Sequence, residues 1–345
     1  MKRYISKILI LQLIAAVWLS SCKKDDELNP SVGQVTPEKG ASNTLLTLTG
    51  SDIEDVQTIV FEKGNVKAEF NPNFNTDNAL LFRVPVAAVP GEQNIILTNK
   101  KGKEFRVPFN VLGFATITDV SNYNFSDGSE ITLTGRNLDD VSKVVFSGTT
   151  TEVAILSKTP TTLVLKFPAT ELTQTTLDIT NAAGAAKTSQ SFVAVDNAYK
   201  IFTDGYNNGY QDASWGSSGM ISTTIFKTGT ASVYKDFAAG NWHQFGFGWN
   251  ELANNNYKYL SFWIKGASAD YDLYISTPAS KGGFASFESN TKITVPANVW
   301  TYFKLPVNTL GLWATADKWN QIGWRIQGPD GKDERFYLDD VILIK

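Results

Sequence analysis

One cysteine and one histidine occur in 345 residues. A single thiol, Cys22, allows no intramolecular disulfide, so the apolar core alone must hold the folded part. A single imidazole, His243, excludes a His-rich metal site. Any Ser-His-Asp triad would have to use that one residue, and no serine stands in a nucleophile-elbow pattern. Charge of one sign is missing as well. Lys and Arg number 31 against 34 Asp and Glu, a formal net charge of −3. That balance offers neither a basic nucleic-acid surface nor an acidic tail. Past residue 19 no apolar run approaches the ~20 residues of a membrane-spanning helix. No long helical period follows either. Between residues 19 and 214 there is no tryptophan.

The N-terminus has the parts of an export signal. Lys2 and Arg3 precede the apolar run 8–19, which only Gln12 interrupts. The run is short for a membrane anchor and has signal-peptide flanks. Residues 19–22 (Leu-Ser-Ser-Cys) resemble the lipobox of bacterial lipoproteins. The resemblance implies cleavage after a signal peptide of residues 1–21 and attachment of lipid to Cys22. It thereby explains a lone cysteine in a secreted chain. The other reading is an ordinary secretory signal with an incidental cysteine. Residues 22–29 contain Lys23, Lys24, Asp25, Asp26 and Glu27. They read either as a solvated linker or as a segment resembling the acidic signal that sends Bacteroidetes lipoproteins to the outer face of the outer membrane.

Strand-type residues dominate the remainder, and turn clusters recur every eight to twelve residues or so, a pattern of all-β sandwiches. Residues 46–61, LTLTGSDIEDVQTIVF, match residues 131–146, ITLTGRNLDDVSKVVF, at an offset of 85. Leu97-Thr98-Asn99 with Gly102 matches Ile179-Thr180-Asn181 with Gly184 at an offset of 82. Two matches at nearly one offset predict two copies of one domain. Alternation puts Leu46, Leu48, Ile131 and Leu133 into cores. Gly50 and Gly135 are expected where the backbone turns sharply, and Thr-Asn-x-x-Gly marks a late hairpin. With the opening Pro37-Glu38-Lys39-Gly40, these features resemble IPT/TIG domains, which are immunoglobulin-like sandwiches. The second copy has Asn122 where that opening proline would stand. The resemblance implies domains over residues 30–112 and 113–196, a fold that serves as spacer, interaction module or ligand binder.

Apart from Trp18, every tryptophan lies in residues 197–345: Trp215, Trp242, Trp249, Trp263, Trp300, Trp313, Trp319 and Trp324. Trp263 and Trp300 lie in strand patterns and read as structural. Trp215, Trp242, Trp313 and Trp319 lie in or beside polar, loop-like stretches, where large apolar rings call for a partner. In residues 242–249, Phe245, Phe247 and Trp249 alternate with Gln244, Gly246 and Gly248. The bulky set is expected in the core, and the glycine side as a smooth shelf. Arg325 and Gln327 oppose Trp324 and Ile326, and Tyr274 shares a side with Asp272 and Ser276. Flat rings bury the C–H face of a sugar while amides, guanidinium groups and carboxylates bond its hydroxyls. Trp215, Trp242, Trp313, Trp319, Tyr274, Gln244, Arg325 and Gln327 are therefore the candidate glycan-binding residues.

Residues 259–266 and 336–343, with Gly229-Thr-Ala-Ser-Val233, resemble β-jelly-roll carbohydrate-binding modules. The whole layout is similar to surface glycan-binding lipoproteins of Bacteroidetes, of the xyloglucan-binding surface glycan-binding protein B type. The resemblance implies an all-β chain of two IPT/TIG-like sandwiches and a larger jelly roll. It implies non-catalytic capture of a polysaccharide such as xyloglucan, mannan or mixed-linkage glucan at the cell surface, beside an outer-membrane glycan importer, with the lipid anchor in the outer membrane and no nucleic-acid partner. It also implies a structural calcium held by Asp339 with help from Asp204, hard oxygen ligands that suit that ion. A plain surface carboxylate pair is the alternative. Two other functions stay open: an adhesion or assembly protein that meets a protein partner through its aromatic face, and a glycoside hydrolase. A hydrolase needs two facing carboxylates, and no pair stands out.

Overall fold

Leu46, Leu48, Ile131 and Leu133 are each at most 1% exposed, so both repeat copies bury the same side of the same strand. The computed structural model describes residues 30–241, 243–284, 291–326 and 331–345. The signal peptide, Cys22, the acidic linker, Trp242 and Gln327 lie outside the described residues. No described helix is long and apolar enough to cross a membrane. The chain divides into two units, residues 1–113 and 114–345.

The first unit packs a three-stranded sheet (Ser31–Thr36, Leu45–Ser51, Ala79–Arg83) on a five-stranded one that runs through Glu104–Val111, Gly91–Asn99 and Val56–Phe61. Its core extends from Val35 to Val111. The second unit begins with the other copy. There Thr116–Val120, Glu130–Arg136, Thr162–Lys166 and Ala154–Lys158 form one sheet, and Lys143–Phe146, Leu177–Asn181 and Gly184–Lys187 another. Phe125, Phe146, Phe167 and Phe192 meet at its centre, with centroids 4.8 to 5.9 Å apart.

The two repeated glycines do not turn the chain. Gly50 and Gly135 stay within their strands. A Cβ on Gly50 would lie 2.4 Å from the Ser31 carbonyl oxygen, and one on Gly135 would lie 1.9 Å from that of Thr116. Each strand has a register irregularity against its neighbour. The glycines admit a close backbone approach there, which corrects the expected sharp turn. The late hairpins follow the expected pattern. Asn99 Oδ1 accepts from the Lys101 and Lys103 N–H groups, and Gly102 adopts φ 76°.

The third core, from Ile201 to Leu343, lies between two larger sheets. The front sheet has the order Gln211–Asp212, Gln244–Ala253, Lys318–Ile326, Tyr271–Ser276, Thr291–Val295. The back sheet has the order Met220–Ser222, Ser232–Phe237, Glu334–Ile344, Tyr259–Lys265, Trp300–Pro306, with Tyr199–Phe202 also on Glu334–Ile344. Trp324 is fully buried between the sheets, edge-on to Phe262 at 5.0 Å and to Phe247 at 5.7 Å.

The second immunoglobulin-like domain packs on the outer side of the back sheet. Val193 and Val195 join Ile342 and Ile344 in one buried cluster. Trp263 donates its indole N–H to Asn122 Oδ1 at 3.1 Å, and Tyr123 stacks on Tyr302 at 4.8 Å. Asn124 donates to the buried Asp340 carboxylate at 3.0 Å. Trp263 is structural, and its role is to hold two domains together.

Candidate functional site

Because the domain contacts lie on the back sheet, the outer side of the front sheet is the natural place for a ligand. Antiparallel register aligns side chains across strands. Gln244 pairs with Arg325, Arg325 with Tyr274, and Tyr274 with Lys292. All four face away from the core that holds Phe245, Trp324 and Ile275. Beside them runs a second row, Gly246, Gly323 and Ser276.

Trp215 stands over this face. It is 52% exposed, yet its backbone is fixed by reciprocal bonds with Gln244, at 2.9 and 3.0 Å. The Arg325 guanidinium lies 5.1 Å from its ring centre. Burial lowers the Arg325 pKa from its ordinary value, so the cation is already desolvated where it meets the ring. The loop is tied down from below. Lys235, fully buried, donates to the Ser217 carbonyl and hydroxyl. Burial pushes its ammonium pKa down to about 8. Asp212 Oδ1 accepts from the Ser214 N–H at 3.1 Å. Gly216, with φ 96°, lies against the His243 ring, where a Cβ would come within 2.3 Å.

Tyr274 is half-buried in the same row. Beside it Asp272 accepts from Lys292 at 2.8 Å and from Thr294 at 2.6 Å. Those bonds, the Lys292 one first, hold the Asp272 carboxyl below its usual range. Asp272 is thereby committed to a structural pair.

Several expectations change. Trp319 is only 2% exposed and lies in the core, 6.0 Å from Tyr210. It is not a platform residue: the 318–326 strand turns Trp319, Ile322, Trp324 and Ile326 all inward. Trp313 is half-buried against that core. Its indole N–H donates to the Leu252 carbonyl at 3.0 Å, and its ring stacks on Tyr257 at 6.0 Å. It too is spent on packing. The glycine shelf is not open. A Cβ on Gly246 would lie 2.5 Å from the Ala213 carbonyl oxygen, because the 211–215 segment crosses it. A Cβ on Gly323 would meet the Gln244 amide at 2.5 Å. Gln244 is fully buried, folded over Gly323. Neither its Oε1 nor its Nε2 has a hydrogen-bond partner among the described residues. The structure therefore brings together Trp215, Arg325, Gln244 and Tyr274, and leaves Trp313 and Trp319 elsewhere.

Trp249 is the residue that alternation misplaced. It is 60% exposed with φ 74°, and its indole N–H donates to the Asp212 carbonyl at 3.3 Å. The strand bulges between Gly248 and Leu252. Core positions Phe245 and Phe247 are odd-numbered but the next, Leu252, is even. That change of parity was the available signal.

Asp339 and Asp204 do not fit a calcium cage. Asp339 Oδ2 accepts from the N–H groups of Lys227 and Thr228, at 2.8 and 3.1 Å, and its Oδ1 from Asp340 N–H at 2.9 Å. Asp204 Oδ1 accepts from the backbone of Thr230 and Ala231. These N–H dipoles present positive ends where a cation would sit. Among the described residues no group of three His, Cys, Asp or Glu side chains is arranged to hold a metal. Burial first, then neighbouring Asp340, pushes the Asp339 carboxyl up to about 8. Asp339 anchors the turn before Ser232–Phe237.

Residues 115–194 match the IPT/TIG domain family. Among curated proteins nothing matches the chain. Similar solved structures include a surface glycan-binding protein from Prevotella bryantii, at 15% identity and TM-score 0.46, covering 91% of this chain and 98% of that one. SGBP-B from a complex xyloglucan utilization locus in Bacteroides uniformis is similar at 15% identity and TM-score 0.45, covering 92% and 99%. SGBP-B of the Bacteroides ovatus mixed-linkage glucan utilization locus, in complex with a mixed-linkage heptasaccharide, is similar at 13% identity and TM-score 0.34, covering 89% and 74%. At these identities and scores no residue-level correspondence carries over.

Proposed function

We propose that the chain is a non-catalytic, lipid-anchored surface protein that holds a polysaccharide on the front sheet of its third domain. The observation that carries this is Trp215: a half-exposed ring on a clamped backbone, with a desolvated guanidinium against it. A rigid ring loses little freedom when a sugar face covers it. Arg325 donates to hydroxyls at the ring's edge, and Tyr274 extends the row. Beneath them, the fully buried Gln244 amide has neither its donor nor its acceptor partnered among the described residues, each at a cost of about 1–3 kcal/mol. The carboxylate beside Tyr274 is already paired with Lys292, which favours binding over hydrolysis.

The finer reading joins this site to the sequence. Lipid on Cys22 holds the chain in the outer membrane with residues 23–345 facing outward. The ligand is a plant β-glycan of the xyloglucan, mannan or mixed-linkage glucan kind, delivered to an outer-membrane importer. The solved proteins similar to this chain are described by their glycan binding and by loci for xyloglucan and mixed-linkage glucan, which agrees with that choice. Affinity electrophoresis and calorimetry of residues 23–345 against a panel of soluble polysaccharides test the proposal. Retention by at least one β-glycan, without release of reducing ends, is expected. Retention by none overturns it.

A further inference from the structure

The back sheet carries a second line of rings outside the interface with the neighbouring domain, Tyr234 and Trp300 half-buried and Tyr337 between them 8% exposed. Met220 pairs with Tyr234, Tyr234 with Tyr337, Tyr337 with Lys265, and Lys265 with Trp300. The register therefore places five side chains in one row across five strands. Their chain neighbours Val233, Phe336, Leu338 and Ile264 belong to the core, so the row faces outward. With strands about 4.8 Å apart, four spacings make a line about 19 Å long. Two residues along the same strands, Trp263 and Tyr302 are taken up by Tyr123 of the immunoglobulin-like domain. The row borders that interface and lies outside it.

We propose that this row is a second polysaccharide-binding surface, which makes the third domain bivalent; the proposal rests on the glycan-binding reading of the front sheet. Tyr234 and Tyr337 lie 5.6 Å apart, and Trp300 is 6.4 Å from Tyr337. The Arg335 guanidinium sits 4.2 Å from the Tyr234 ring centre, and Lys265 Nζ 5.8 Å from that of Tyr337. This repeats the ring-and-cation pairing of Trp215 with Arg325. Asp236 holds Arg335 through two bonds, of 2.6 and 2.8 Å. A planar carboxylate–guanidinium fork beside a ring offers acceptors and donors to adjacent hydroxyls.

The chemistry favours a sugar chain over a protein. A stable protein interface needs about 800 Å² per partner with an apolar, desolvated centre. Here Lys265 interrupts the row between Tyr337 and Trp300, and the flank holds the Asp236–Arg335 pair. A linear polymer of rings needs only a line. Two lines on opposite sides of one sandwich hold a long glycan by effective concentration, although each alone holds it weakly.

The test uses residues 23–345 with a short oligosaccharide of whichever glycan the wild-type chain binds, titrated by calorimetry, and with the parent polysaccharide in affinity gels. Two oligosaccharides per wild-type chain are expected. Trp300→Ala and, separately, Tyr234→Ser should reduce this to one, as should Trp215→Ala. The polysaccharide's retardation should drop at least tenfold in each. Both Tyr234 and Trp300 are surface positions, and Trp300→Phe should restore the second site, which separates lost binding from lost folding. One oligosaccharide per wild-type chain, or full stoichiometry in the Trp300 and Tyr234 variants, overturns the second surface and leaves the front-sheet reading standing. A wild-type dimer that Trp300→Ala dissolves overturns it in favour of a second copy of the chain. No binding by the wild-type chain overturns both readings.

Discussion

Trp215→Ala and Trp319→Ala remove the same side chain from two places, and the structure assigns them opposite consequences. Trp215 is 52% exposed and Trp319 2%. An indole offers about 150–250 Å², so roughly 100 Å² of Trp215 remains for a sugar face to cover. At about 25 cal/mol per Å² that area is worth about 2.5 kcal/mol. Ordering of the ligand consumes part of it, and a net loss of about 1.5–2 kcal/mol predicts a 10- to 30-fold weaker Kd. The fold loses chiefly the contact with Arg325, worth about 2 kcal/mol where the cation is desolvated.

Trp319→Ala leaves a cavity against Tyr210 and Trp313. Truncation of a buried tryptophan costs about 3–5 kcal/mol. In a unit of this size that lowers Tm by roughly 6–20 °C. Calorimetric titration of each variant with the bound glycan, at a temperature where both are folded, gives the affinities, and thermal scans give the stabilities. Unchanged affinity in Trp215→Ala would refute the platform. A Trp319→Ala variant that kept its Tm but lost binding would show that the buried ring had been misread as core.

Three further outcomes are expected. Cys22→Ser should abolish incorporation of radiolabelled palmitate and release the protein from the membrane fraction; persistent labelling would place the lipid elsewhere. Lys235 should give stability an alkaline slope. Burial lowers its folded pKa from 10.5 to about 8, so between those values the unfolded chain binds the extra proton and stability rises with pH. Denaturant titrations from pH 7.5 to 10.5 should show that rise in the wild type and a flatter line in Lys235→Met; parallel lines would contradict it. Excess EDTA should leave Tm within 1–2 °C or so, because a ligand at a hundredfold its Kd would add about 2.7 kcal/mol; a large drop would mean that Asp339 or another group does bind a metal.

Period-two alternation was legible wherever a strand kept its register. Trp324 and Ile326 are buried and Tyr274 is on the polar side, as the pattern requires. It failed where a strand bulged. Trp249 sits next to a register irregularity that exchanges the two sides of its strand, and composition alone does not locate such a slip; Trp319 reads as loop from the polar residues before it but lies in the Lys318–Ile326 strand. The glycine shelf failed for a different reason. Gly246 was correctly seen as a place of close approach, but what approaches is the protein itself, through Ala213; Gly323, which the pattern did not single out, is covered in the same way by Gln244. A missing Cβ says that something comes near and does not say what.

The divergence between the repeats carries more information than their likeness. At an offset of 85, Pro37, Glu38 and Lys39 correspond to Asn122, Tyr123 and Asn124. The first three are exposed, whereas Asn124 is 1% exposed. The absent proline, which at first only blurred the family pattern, has a physical cause. Asn122 Oδ1 accepts from its own loop, at the Asn124 N–H, and also from Trp263 of the next domain. Proline has no side-chain acceptor and could do neither. Tyr123 covers Trp263 and Tyr302 where the first copy has an exposed carboxylate, and Asn124 meets the buried Asp340 where it has an exposed ammonium. Three positions thus convert a solvated edge into a docking edge. Burial of Val193, Val195, Ile342 and Ile344 beside it adds about 1.5–3 kcal/mol per side chain as an upper estimate. Two domains joined in this way move as one body, so the direction in which the second copy points also fixes the direction of the Trp215 face.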